Sequence, residues 1–207
     1  DITRLGKIIT SGILYESTVK LAITQFNEDG SLDLTLNNTG ISILDIDNSH
    51  TALNINSMAI QEDGKILLSG SLNHYQMLIA RITPNGKLDL SFNKTGMNLI
   101  DLGDKQVGYG GLKSLTLLPD NKILSTGYVY INHGENNTFS NNDDHILVRL
   151  NPNGVIDETF GDKGIILNDF FGINERINHS ILQADGKLLT LGMLEAGMEA
   201  RWLITRY

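Results

Sequence analysis

Apolar residues recur along the chain in short runs separated by clusters of Gly, Asn, Asp and Pro, and a 3.6-residue spacing is sustained nowhere. The pattern predicts strands and no helices. Between Asn56 and Met97 the strands fall at about Ile55 to Gln61, Lys65 to Leu72, Gln76 to Thr83 and Met97 to Leu102. The first two are joined by Glu62-Asp63-Gly64, where glycine takes positive φ without steric cost. In the third strand Leu78, Ala80 and Ile82 point one way and Ile79 the other, and Ile146, Val148 and Leu150 against Leu147 repeat the arrangement. Both faces are apolar, so a sheet covered on both sides is expected.

The runs form a repeat. GKIITSG (Gly6 to Gly12), GKILLSG (Gly64 to Gly70), NKILSTG (Asn121 to Gly127) and GKLLTLG (Gly186 to Gly192) are copies of one segment, followed by AITQF, LIARI, ILVRL and LITRY. Gln25, Arg81, Arg149 and Arg206 are equivalent positions, separated by 56, 68 and 57 residues. A third element, NEDGSLDLTL, TPNGKLDLSF or NPNGVIDETF, follows the first three. A period of this length means a solenoid, a propeller or an array. Blades of a propeller, each packed between two neighbours, supply the two-sided cover, whereas solenoid rungs are usually shorter. The fold class read from the sequence is therefore all-β: a β-propeller, as a partial or open arc of four-stranded blades of about 57 residues per repeat. The repeats run approximately over 1–52 (truncated), 53–110, 111–175 (with an insertion over 128–145) and 176–207 (truncated).

The order MAIQEDGKILLSG…LIARITPNGKLDLSFNKTG resembles the bacterial delta-60 repeat of the DUF5122-type β-propeller family, over nearly the whole chain. The likeness is weakest in the first copy, where Leu5 stands for the hairpin Asp and Gln25 for the Arg. The resemblance implies an architecture and brings no general enzymatic activity with it. On the repeat, Asp1 and Ile2 align with Ala59 and Ile60, and Arg206 and Tyr207 with Arg81 and Ile82. Both ends thus cut a repeat in mid-unit, as in a piece of a longer chain. The end blades are expected to be covered by further repeats of the same polypeptide or by a protein partner.

A net charge of −8 and a pI near 5.0 offer no basic patch to a nucleic-acid backbone and argue against nucleic acid as a partner. Nothing approaches the length of a membrane span, so no membrane insertion is expected. Cysteine is absent, which suits either the cytosol or the cell exterior. The bacterial resemblance points to an extracytoplasmic setting: cell surface, periplasm or secretion.

One rim keeps its connections nearly constant between copies; the other carries links that differ completely, Leu44 to Asn54, Asp101 to Leu112 and Asn168 to Asn178. A rigid scaffold with variable loops on one side is a common design for a binding surface. The third copy is about eleven residues longer there, within YVYINHGENNTFSNNDDHI, a stretch expected as a projecting loop or hairpin extension. Candidate binding residues on this rim are Tyr109, Tyr130, His133, Glu135, Phe139, Asp143, Asp144 and Phe171. Oxygen-rich loops bind Ca²⁺ and His with carboxylates binds Zn²⁺, but the spacing matches neither an EF-hand nor a zincin motif, so no metal and no cofactor is assigned. No G-x-S-x-G elbow, Walker loop or other catalytic constellation occurs, and no catalytic residue is assigned. The recurring Asp33, Asp89 and Asp157 read as a turn device, because one residue in every copy is not a single active-site acid. The recurring charges predict structural pairs Asp63–Arg81, Asp120–Arg149 and Asp185–Arg206. The reading is a non-catalytic scaffold or protein–protein interaction module. The alternative is a glycan-directed propeller hydrolase, which convergence of Asp101, Asp104, Asp143, Asp144 and Asp169 would favour.

Overall fold

A computed structural model describes residues 6–46, 52–102, 106–133, 141–196 and 199–207. Its strands are antiparallel to their sequence neighbours and form four sheets, here called blades. Blade 1 holds β1 (Ile8–Tyr15), β2 (Val19–Phe26) and β3 (Ile41–Asp45); blade 2 holds β4 (Leu53–Ile60), β5 (Ile66–Leu72), β6 (Gln76–Ile82) and β7 (Met97–Ile100). Blade 3 holds β8 (Gln106–Leu117), β9 (Ile123–Asn132), β10 (Asn141–Leu150) and β11 (Ile165–Asn168), and blade 4 holds β12 (Asn174–Leu182), β13 (Leu188–Ala196) and β14 (Glu199–Arg206). In blade 3, β8 starts at Gln106, inside what the sequence counts as the second repeat, because inner-strand pairing of Gln106 with Ile131 follows the lengthened hairpin rather than the repeat period.

The alternation along the third strands distributes the core. Leu78, Ala80 and Ile82 join Leu21 and Ile23 between blades 1 and 2, while Met77 and Ile79 join Ile146, Val148 and Leu150 between blades 2 and 3. Leu147 turns to Ile177 and Leu188 between blades 3 and 4. Each strand thus feeds two cores, which is why both of its faces are apolar.

Two devices hold the blades in register. The inner strands β4, β8 and β12 each carry a bulge, at Ile55/Ser57, Leu112/Ser114 and Ile177/His179. Opposite them lie Gly70, Gly127 and Gly192, where a Cβ would collide with the carbonyl oxygens of Asn54, Gly111 and Arg176. This is the physical reason for the glycine that closes the GKILLSG-type segment in blades 2, 3 and 4; at Gly12 in blade 1 the space beside it is open. The second device links blades. Phe92 of blade 2 packs its ring on Gly154 of blade 3, as Leu36 of blade 1 packs on Gly86, and both glycines have positive φ. The Asn-Gly turn of one blade is a socket for the large residue of the blade before it.

Candidate functional site

The two rims differ in sequence, and the structure separates them further. On the variable rim, β9 and β10 stay paired five residues beyond Gly127 and Ile146, from Tyr128–His145 out to Asn132–Asn141. In blade 2 the equivalent hairpin closes two residues past Gly70, through Asn73 and His74 with φ of 50° and 66°. The insertion is a hairpin extension of blade 3. Glu135 and Phe139 lie outside the described residues.

The extension leans over the start of blade 4 and puts a polar cluster at the junction. Asp143, fully buried in β10, accepts a 2.5 Å bond from Arg176 Nε of β12, and Arg176 also donates to Tyr109 Oη at 3.1 Å and meets Glu195 Oε2 at 3.3 Å. Tyr109 stacks on Tyr130 at 5.5 Å and meets Tyr128 edge-on at 6.4 Å; the guanidinium of Arg176 and the ammonium of Lys113 lie 5.3 and 5.2 Å from the Tyr128 ring. Burial, and then the charge of Arg176, pushes the Lys113 pKa down.

Asp144 points to the other side of the same strand. His133 Nε2 is 2.9 Å from Asp144 Oδ1 and 3.9 Å from Asp169 Oδ2, and Asn142 Nδ2 donates to Asp144 Oδ1 at 3.0 Å. Burial pushes the Asp144 carboxyl up to about 6; His133 opposes this, and Asp169 and Glu175 add to it. Glu175, fully buried, accepts from the backbone N–H groups of Phe170 at 3.1 and 3.0 Å and Phe171 at 2.7 Å. His145 is buried against the Phe170 ring at 5.4 Å, and desolvation lowers its pKa to about 4.

Six of the eight rim candidates therefore meet in one place: Tyr109, Tyr130, His133, Asp143, Asp144 and, on the link that Glu175 holds, Phe171. Of the acids whose convergence was considered, Asp143, Asp144 and Asp169 are here, whereas Asp101 lines a separate cleft with Asp162 and Lys163, and Asp104 lies outside the described residues. Arg176 and Glu175 are not among the candidates, because β12 opens with NER in no other copy and only the fold brings it to β10; Asn142 is one of several Asn in the insertion, and nothing in the sequence distinguishes it from the others.

The constant rim corrects the structural pairs. Arg81 Nε binds Asp89 at 2.8 Å rather than Asp63, and Arg149 Nε binds Asp157 at 2.7 Å rather than Asp120. The cause is local: the chain after β6 folds straight back, with Asp89 N donating to Arg81 O at 2.9 Å, so the carboxylate eight residues on is presented in fixed register. Asp63 instead turns to Lys65, with Nζ at 3.1 Å, and Asp120 to Lys122, with Nζ at 3.8 Å. Asp89 also takes the Ser91 hydroxyl at 2.6 Å and Lys65 Nζ at 3.4 Å; Asp157 takes the Thr159 hydroxyl at 2.7 Å and Lys122 Nζ at 3.0 Å. In the first copy Gln25 takes the place of Arg, 2.5 Å from Asp33, which Lys7 and Thr35 also reach. Arg206 does pair with Asp185, at 2.5 Å, and with Gln183 at 2.7 Å.

The family model described as "Domain of unknown function (DUF5122) beta-propeller" matches residues 61–92 and 118–160. These two segments are similar to the DUF5122 β-propeller repeat. Each matched segment opens at the β-hairpin and ends at Phe92 or Phe160, so the Lys–Arg–Asp networks around Asp89 and Asp157 lie within the matched residues. The rim cluster belongs only in part to them: His133, Asp143 and Asp144 fall within a matched segment, and Tyr109, Asp169, Glu175 and Arg176 fall outside. No curated protein sequence matches the chain. Among solved structures, an exo-1,5-alpha-L-arabinanase from a bovine ruminal metagenomic library is similar at 9% identity and a TM-score of 0.45, over 91% of this chain and 65% of that one. The chain thus spans less than two thirds of that enzyme's length. Among the described residues no helix is long and apolar enough to cross a membrane.

Proposed function

We propose that the chain is a non-catalytic β-propeller scaffold that seats a further blade, from the same polypeptide or a protein partner, on the open face of blade 4, within a bacterial envelope or surface assembly. One observation carries this. Ile204 is 63% exposed, while its equivalents Ile79 and Leu147 are fully buried under the following blade. Trp202, at the position of buried Met77 and His145, is 74% exposed. Beside them Ile181, Leu189 and Leu191 line a cleft whose walls are apolar. Covering side chains of this size contributes about 1.5–3 kcal/mol each, so the face is a liability until something covers it. Blade 1 repeats the situation on its outward side, where Ile8 and Ile43 are exposed.

Trp202 is the only tryptophan and reports on this face directly. Alone, the chain is expected to show solvent-exposed tryptophan emission, to bind a hydrophobic dye and to self-associate in sedimentation; Ile204→Lys should abolish the dye binding and association while the β-sheet circular dichroism stays. A monomeric chain that binds no dye and unfolds cooperatively would count against the scaffold. The second reading is a glycan hydrolase. It draws on Asp144, whose carboxyl, at about 6, stands among the carboxylates of Asp169 and Glu175 as a general acid would. Release of reducing sugar from a polysaccharide panel, lost in Asp144→Asn, would replace the scaffold reading.

A further inference from the structure

We propose that His133, Asp144 and Asp169 bind one divalent cation of the zinc or manganese class at the junction of blades 3 and 4. One ligand atom from each lies within 4.8 Å of the other two. A tetrahedral ion with bonds near 2 Å sets its ligand atoms about 3.3 Å apart. The 2.9 and 3.9 Å separations of His133 Nε2 from Asp144 Oδ1 and Asp169 Oδ2 bracket that value. Asp144 is fixed in β10, whereas His133 and Asp169 are partly exposed and can close the remaining gap by rotamer adjustment.

A second observation comes from a side chain outside these three. Asn142 is 4% exposed and donates through Nδ2 to Asp144 Oδ1 and to Ile173 O, both at 3.0 Å, yet its Oδ1 is buried with no partner. The amide cannot be turned over, since that would set its oxygen against two acceptors. A water on a cation held by Asp144 supplies the donor that this oxygen lacks. The local charge points the same way. Asp144, Asp169 and Glu175 stand together, and the guanidinium of Arg176 is already committed to Asp143 and Glu195. An imidazole with only two carboxylates suits zinc or manganese, whereas calcium takes six to eight oxygens. The ion would fasten the long hairpin of blade 3 to the link that leads into blade 4.

The test is metal titration of the tag-free, chelator-stripped chain, by calorimetry with Zn²⁺ and by electron paramagnetic resonance with Mn²⁺, together with thermal melts. One ion per chain is expected, with at least tenfold preference over Ca²⁺ and a raised melting temperature. His133→Gln and Asp169→Asn change partly exposed side chains, and each should weaken binding at least tenfold in a chain that melts like the parent without metal. His179→Gln, on the outer face of blade 4, should bind as the parent does. No saturable binding, binding untouched by both ligand variants, or a preference for Ca²⁺ would overturn the proposal.

Discussion

At the constant rim, Asp89 and Asp157 each take an arginine, a lysine and a hydroxyl, all from their own repeat. At the variable rim, Asp143 and Asp144 are just as buried, but their partners come from β8, β12 and the far side of the long hairpin. The first arrangement is copied whenever the repeat is copied. The second arises once, where two blades meet, and depends on both of them. A local network fixes the fold, and a composite one can carry a property that a single repeat lacks.

The largest effect should come from the constant rim. Asp89→Ala leaves Arg81, whose side chain is 6% exposed, without its carboxylate. The expected loss is about 3–5 kcal/mol in global unfolding by denaturant, since a buried charge deprived of its partner is costly. An effect below 1 kcal/mol would show that Pro152 O, 2.6 Å from Arg81 Nη1, suffices alone.

Arg176→Ala tests the other rim. It leaves Asp143 buried, and about 2–3 kcal/mol should be lost. Here the loss should appear as faster hydrogen exchange over the outer part of β9 and β10, with blade 2 protected as before. Uniform acceleration across all blades would erase the distinction between the rims.

Acid should weaken the constant rim in a defined window. Burial raises the Asp89 carboxyl, but the hydroxyl and N–H of Ser91, then Arg81 and Lys65, outweigh it and hold the pKa at about 2, below the ordinary 3.8. Asp33 and Asp157 are also held below the ordinary range, by Lys7 and Thr35 and by Thr159 with Lys122. A carboxylate with a lowered folded pKa contributes stability that is complete above its unfolded value and is lost as pH falls through the folded one. Stability should therefore decline between about pH 4 and 2, by roughly 2 kcal/mol for Asp89, and Asp89→Asn should flatten that part of the profile.

The smallest effect should be at Arg206. It occupies the repeat position of Arg81, but its side chain and that of Asp185 are each 49% exposed. Arg206→Gln should cost less than about 1 kcal/mol. Equal losses for the two arginines would mean that the sequence position, and not the burial, sets the energy.

The architecture was legible because its cause is local and repeated. Four copies of GKILLSG gave strand limits within a residue or two, and the apolar pattern of LIARI gave the two covered faces. The arginine partner differs from the expected one for a reason visible in the chain: the hairpin Asp is replaced by Leu5 where the Arg is replaced by Gln25, while Asp33 stays, so co-occurrence points to Asp63 although the fold presents Asp89. The rim was half legible. A polar insertion containing His133, Asn142, Asp143 and Asp144 marked itself by its length and composition, while Arg176 and Glu175 carried no signal.

Sequence by itself determined what depends on short range: strand period, turn chemistry, the glycine opposite each bulge and the pairing of faces that every copy repeats. Tertiary structure decided what depends on distance across the fold. Arg176 reaches Asp143, 33 residues away, only because the blade 3 hairpin outgrows its neighbours and overhangs the start of blade 4. Trp202 is exposed because no described sheet follows blade 4, although the same strand position is buried in blades 2 and 3. Burial is a property of what lies on the other side of a face, and one strand's residues do not encode it.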